Sequence, residues 1–384
     1  MPTKTLFLII WLALALALTT QASGQETRPS PSPKPSPLQN EEQEPVRIFT
    51  EEVQLPVLAV DQYGHFDPSL EIDDILVLED GVPQQIKSVR HIPASVLILL
   101  DMGGEMSMAK STKTTRDAAL RLLARLKEGD SLSVIQFSER VELLQDWTTE
   151  KDDIARVLKT KLSAGRRSRL SEGIMAAVEH LKAVTQGSRH LVIITDGVET
   201  PGGKIKYEEA IKQLVATQAT VHVISYTAMV RAAIEQRYKK GIFRQGPGMS
   251  KDANPMSNPV ASGDPTVPAG TTRTPSFTLG SIDTDRKMRR WFKDYARATV
   301  ASEQRLTSLV AESGGRILLP QSTDDMLKQS DEVAREIGAQ YVVTYRPRRP
   351  LSEAKPGEYR RIEVASRRVG LLLRARRGYV ATPP

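Results

Sequence analysis

The chain has 384 residues, room for two or three domains, and its 40% hydrophobic content suits globular folding. It contains no cysteine, which excludes a disulfide framework, a thiolate metal site, a cysteine nucleophile and a lipid on a mature N-terminal cysteine. The net charge of +7 favours anionic partners, but part of it lies in tails and one loop, and it is weak evidence of any particular partner.

Lys4 precedes an apolar run from Leu6 to Leu18, and Ala22 and Gly24 have the spacing that signal peptidase requires. That run is shorter than the roughly 20 residues of a membrane span. The reading is a signal peptide over 1–24, with no transmembrane segment after cleavage. An uncleaved anchor is the alternative, and export holds under both. Export in turn argues against a nucleic-acid partner. Residues 25–45, with RPSPSPKPSP, are a proline-rich linker whose alternating prolines forbid helix.

Residues 46–92 change to short β-rich runs, over 54–60, 75–79 and 85–89, separated by turn signals such as EDGVP. Strand and helix then alternate. SVLILLD reads as a buried strand, 110–126 as an amphipathic helix, and SLSVIQFS and VELLQDW as strands. Helices over 151–162 and 170–183 lead to the strand HLVIITD, a helix over 207–217 and the strand TVHVISY. A helix over 302–312 ends at Gly314 and Gly315, and the strand RILLP precedes a helix over 323–337. Residues 339–384 are β-rich again, with QYVVTYRP, YRRIEVA, GLLLRAR and GYV.

The alternation predicts an α/β fold with a doubly wound, mostly parallel sheet over 93–338, covered by helices on both faces. Neither β-rich flank is long enough to bury much core alone. The two are therefore paired into one β domain, sandwich-like, with the α/β unit inserted between them. Residues 229–291 interrupt the α/β unit as an irregular basic insertion with one short helix at 230–240.

In an open α/β sheet, ligands sit beyond the carboxyl ends of the strands, where strand order reverses. Asp101 ends SVLILLD and Asp196 ends HLVIITD, so both carboxylates fall there. Strand-end acids also accept backbone hydrogen bonds and cap following helices, a structural role open to both. The insertion leaves from the same rim. Arg231, Arg237, Lys239, Lys240 and Arg244 open it, and Arg286, Lys287, Arg289 and Arg290 close it, a basic border that could recruit an acidic protein partner. A surface loop without specific contacts is the competing account, given PNPVASGDPTVPAGTTRTP in its middle.

In order along the chain, DILVLEDGVPQQI, SVLILLD with DMGGE, GRRSRLSEGI, HLVIITDG, LVAESGGR and QYVVTYRP through RARRGYV resemble the von Willebrand factor type A (VWFA) domain, in particular the exported bacterial VWFA-related family. The resemblance covers nearly the whole chain after the linker, and implies a Rossmann-like fold and an adhesion or protein-binding role. It also implies a metal-ion-dependent adhesion site built from Asp-x-Ser-x-Ser, a later Thr and a strand-terminal Asp, whose oxygen ligands suit magnesium or calcium.

Carried over, these positions are Asp101, Gly103, Glu105, Ser168 and Asp196, so two of the family's ligands have changed to Gly103 and Glu105. Several readings of this degenerate site stay open. Asp101, Glu105, Asp196 and Ser168 could hold one divalent cation, with calcium favoured over magnesium. Arg166, Arg167 and Arg169 could pair with Glu105 or Asp101 and replace the cation's charge. The site could also be empty, with the arginines a solvated loop, or it could hold magnesium in the usual way.

No GxxxxGK[ST], GxSxG or HExxH motif is present. His65, His91, His180, His190 and His222 are scattered, and Trp147, Trp291 and Phe137 are better assigned to packing than to a stacking platform. The chain therefore reads as no enzyme. It is an exported, secreted or periplasmic protein-binding module of the adhesion type, or else a metal-independent structural or assembly component of the cell envelope. A hydrolase reading rests only on Asp101, Glu105 and Asp196 with a metal-activated water.

Overall fold

A computed structural model describes residues 51–104, 110–184, 187–239 and 280–381 of the chain, without the side chains of 237–239, 280–289 and 292. The expected signal peptide and linker, and the candidates Glu105, Lys240 and Arg244, lie outside the described residues. So do the side chains of Arg237, Lys239, Arg286, Lys287 and Arg289.

The first flank forms β1 (Val53–Asp61), β2 (Ile75–Glu79), β3 (Val82–Pro83) and β4 (Gln85–Arg90). The β2 burial alternates, as one face turned to a core requires. The chain then enters the α/β unit. It runs through β5 (Ala94–Asp101), α1 (Thr112–Arg125), β6 (Ser131–Phe137), β7 (Val141–Thr148), α2 (Lys151–Thr160) and α3 (Leu170–Lys182). It continues through β8 (Ser188–Thr195), α4 (Tyr207–Ala216), β9 (Thr220–Ser225), α5 (Thr227–Lys239), α6 (Gly280–Ser313), β10 (Ile317–Leu318) and α7 (Thr323–Ala339).

These strands make one six-stranded sheet in the order β10-β9-β8-β5-β6-β7, parallel throughout except for β7. All of β5 is buried because helices cover both faces, and its side chains divide between two cores. Val96, Ile98 and Leu100 pack with α1, α2 and α7, while Leu97 and Leu99 pack with α3, α4 and the C-terminal half of α6. Chain order reverses between the neighbours β5 and β8, which makes their carboxyl ends the switch point of the sheet.

The second flank returns as β11 (Tyr341–Arg346), β12 (Tyr359–Ser366), β13 (Leu371–Ala375) and β14 (Gly378–Val380). It interleaves with the first in two antiparallel sheets, β13-β1-β11-β4 and β14-β12-β2-β3. Leu55, Val57, Val77, Val343 and Ile362 fill the space between them. The fold is thus a doubly wound α/β domain inserted into a β-sandwich built from both ends of the chain.

Two expectations need correction. The interruption at 229–291 opens with α5, the short helix expected there, but its other described end is not irregular, because α6 runs for 34 residues from Gly280. The helix expected over 302–312 is only the last part of α6, because Trp291, Tyr295, Thr299, Ser302 and Leu306 keep one face of the helix against the domain much further back. No described helix is long and apolar enough to cross a membrane.

Candidate functional site

Asp101 is the last residue of β5 and Asp196 directly follows β8, and both are buried. Each has a backbone turn folded back on its carboxylate, with the Gly103 N–H donating to Asp101 Oδ1 at 3.0 Å and the Val198 N–H to Asp196 Oδ1 at 2.9 Å. Asp101 Oδ2 accepts from Thr195 Oγ1 at 2.6 Å and from Ser168 Oγ at 3.3 Å. Ser168 precedes α3 and is held by its own N–H, which donates to Thr200 Oγ1.

The charge partner is Lys110, just ahead of the Ser111 N-cap of α1. Its ammonium lies 2.7 Å from Asp101 Oδ1 and 3.8 Å from Asp196 Oδ2, with only 7% of the side chain exposed. From the other side, α6 delivers Tyr295, whose hydroxyl donates to Asp196 Oδ2 at 2.5 Å, and Ser302, whose hydroxyl donates to the Asp196 carbonyl at 2.6 Å. Burial pushes the Asp101 carboxyl up to about 6, Lys110 pulls against that rise, and Asp196 adds to it. The Tyr295 hydroxyl is pushed far up as well, by burial and then by Asp196.

The described residues do not fit the divalent cation of the family. A carboxylate offers about four acceptor positions, and those of Asp101 are taken by Gly103, Lys110, Ser168 and Thr195. Gly103 supplies no ligand and has no room for one. A β-carbon there would run into the Arg167 carbonyl oxygen and come within 2.8 Å of the Ser168 Cα. That segment is docked by the Gly165 N–H, which donates to the Met102 carbonyl at 2.9 Å, so glycine allows two backbones to touch. Among the described residues, no group of three or more His, Asp or Glu side chains could hold a metal ion.

The structure thus brings Asp101, Ser168 and Asp196 together, but not the three arginines with them. Arg169 donates to the Thr200 carbonyl at 2.9 Å, while Arg166 and Arg167 are exposed. Arg231 pairs with Glu303 at 2.6 Å, and Arg290 is exposed on α6. The histidines stand elsewhere. His190 and His222 stack inside the sheet, where burial holds both near 3, and His180 meets Ser133 and stacks on Trp147. Beside Gly103 and Lys110 lies a cavity of about 270 Å³, lined also by Ser111, Thr115, Ala164 and Gly165.

Sequence reading missed Lys110, Thr195 and Tyr295. Thr195 had a usable signal, since it adjoins Asp196 at the end of an apolar strand, where a lone hydroxyl needs a partner. Lys110 had none, because a lysine before a helix N-cap is ordinarily solvated.

The von Willebrand factor type A domain family model matches residues 96–199. A stretch of 167 residues is 26% identical to inter-alpha-trypsin inhibitor heavy chain H4 of Bos taurus, covering 38% of this chain and 18% of that protein. Another of 140 residues is 26% identical to an uncharacterised Synechocystis protein, covering 36% of this chain and 33% of the relative. The chain spans well under half of the length of either. Among solved structures, von Willebrand factor type A from Catenulispora acidiphila aligns with a TM-score of 0.40 and 11% identity over 83% of this chain and 76% of that one. The PilB minor pilin from Streptococcus sanguinis aligns with a TM-score of 0.40 and 10% identity over 65% of this chain and 62% of that one.

Proposed function

We propose that this chain, which carries a von Willebrand factor type A domain, is an exported interaction module of the cell envelope that binds an acidic protein partner at the carboxyl edge of its sheet and catalyses no reaction. One observation carries this reading: Arg166 and Arg167 stand exposed next to Gly165, which lines the cavity at Gly103, while the carboxylates of Asp101 and Asp196 are already engaged by Lys110 and Tyr295. Among the described residues, no ion pair involves either arginine, so each can meet an incoming carboxylate without first breaking one. The engaged carboxylates also speak against hydrolysis, since Asp101 has no acceptor position left to activate water.

The apolar run at 6–18 and the proline-rich spacer support export to the periplasm or cell surface. The test is capture from envelope extract by the full chain, compared with the double variant Arg166→Glu and Arg167→Glu. The expected result is a loss of partner binding of about tenfold or more on charge reversal, with no effect of chelator on the wild type. Undiminished capture by the double variant would sink the proposal, as would capture abolished by chelator.

A further inference from the structure

We propose that Lys110 is the resident cation of this edge: its ammonium takes the place a divalent ion would hold between Asp101 and Asp196, so the edge is built to stay closed without metal. The inference stands apart from the identity of any partner, because it rests on contacts inside the chain. Two buried carboxylates at the ends of neighbouring strands repel each other unless a positive charge lies between them. Lys110 Nζ lies there, 2.7 Å from one and 3.8 Å from the other, almost wholly shielded from solvent. An ammonium at that position and a metal ion cannot both be present, since they would compete for the same carboxylate lone pairs.

Gly103 points the same way. The position offers no side-chain ligand, and the backbone of 167–168 lies in the space a side chain would need, so the glycine is built into the packing. Tyr295 completes the arrangement by donating to the Asp196 oxygen that faces Lys110. The edge therefore carries its cation just ahead of α1 and a hydroxyl donor on α6, both covalently part of the chain and never lost to dilution or chelation.

The experiment is thermal unfolding and calorimetry of the full chain with chelator, magnesium, calcium or manganese, alongside Lys110→Met, Asp101→Asn and the double variant. The wild type is expected to show the same Tm in all four media and no binding heat. Lys110→Met should lower Tm by roughly 5 °C or more, and adding Asp101→Asn to it should restore a large part of that loss, because the unpaired charge is removed. If Lys110→Met alone gives no folded protein, recovery of folded protein in the double variant supports the proposal, and failure of both overturns it. A saturable rise in wild-type Tm with any of the cations would overturn it too. So would strictly additive losses in the two single variants, which would mean that the ammonium is not the counter-charge of Asp101.

Discussion

Replacing Gly103 by serine would restore the hydroxyl that the family places there, but the β-carbon that carries it would land against the backbone of Arg167 and Ser168. Overpacking of this kind costs about 1–3 kcal/mol. Gly103→Ser is expected to lose that much in urea unfolding and to gain no cation-dependent rise in Tm. Both aspartates were legible, because a strand that is apolar throughout and ends in Asp puts the carboxylate at the ligand edge of a parallel sheet. Lys110 was not, since its burial depends on two carboxylates that only the folded sheet brings beside it. The arginines around Ser168 were the more conspicuous cations, but the local chain turns Arg169 toward the Thr200 and Pro201 carbonyls and leaves its two neighbours in solvent.

Among the elements, α6 joins the packing to the site, because one face of it seals a core while its middle reaches Asp196. Tyr295→Phe keeps the ring packing and removes only the hydroxyl, leaving Asp196 short of one donor. A hydrogen bond to a charged group is worth about 1.5–3 kcal/mol, and a loss of that size is expected in denaturant unfolding, with faster amide exchange along the first half of α6. The strands and most helices were readable from apolar runs and periodicity. The part of α6 ahead of residue 302 was not, because the inward stripe of the helix passes through Thr299 and Ser302, both fully buried, before reaching Leu306. Those small polar residues interrupt the hydrophobic pattern although they lie on the packed face. Their hydroxyls are satisfied by the Ala296 and Asp196 carbonyls, which removes the usual cost of burying them.

Across the whole molecule, the two flanks of the sandwich carry opposite charge. Residues 51–93 hold nine acidic and two basic side chains, and residues 341–384 hold eleven basic and three acidic. The structure joins them through Arg349 with Asp80, Arg360 with Glu79, and Arg368 with Asp67 and Asp74. Long-range attraction of this kind helps two segments separated by an entire domain to find each other. Arg360 is fully buried, and the carboxylate it neutralises also accepts from Tyr345 and Tyr379. Arg360→Met is expected to cost about 3–5 kcal/mol in unfolding experiments, with part of the loss recovered by adding Glu79→Gln. The insertion leaves and re-enters the sandwich through β4 and β11, which are hydrogen-bonded neighbours, while β1 and β14 lie at the two ends of the described chain. A pull on those ends would therefore be borne by the sandwich, and the domain bearing Asp101 and Asp196 would hang beside the line of force, mechanically unloaded while its support is stretched.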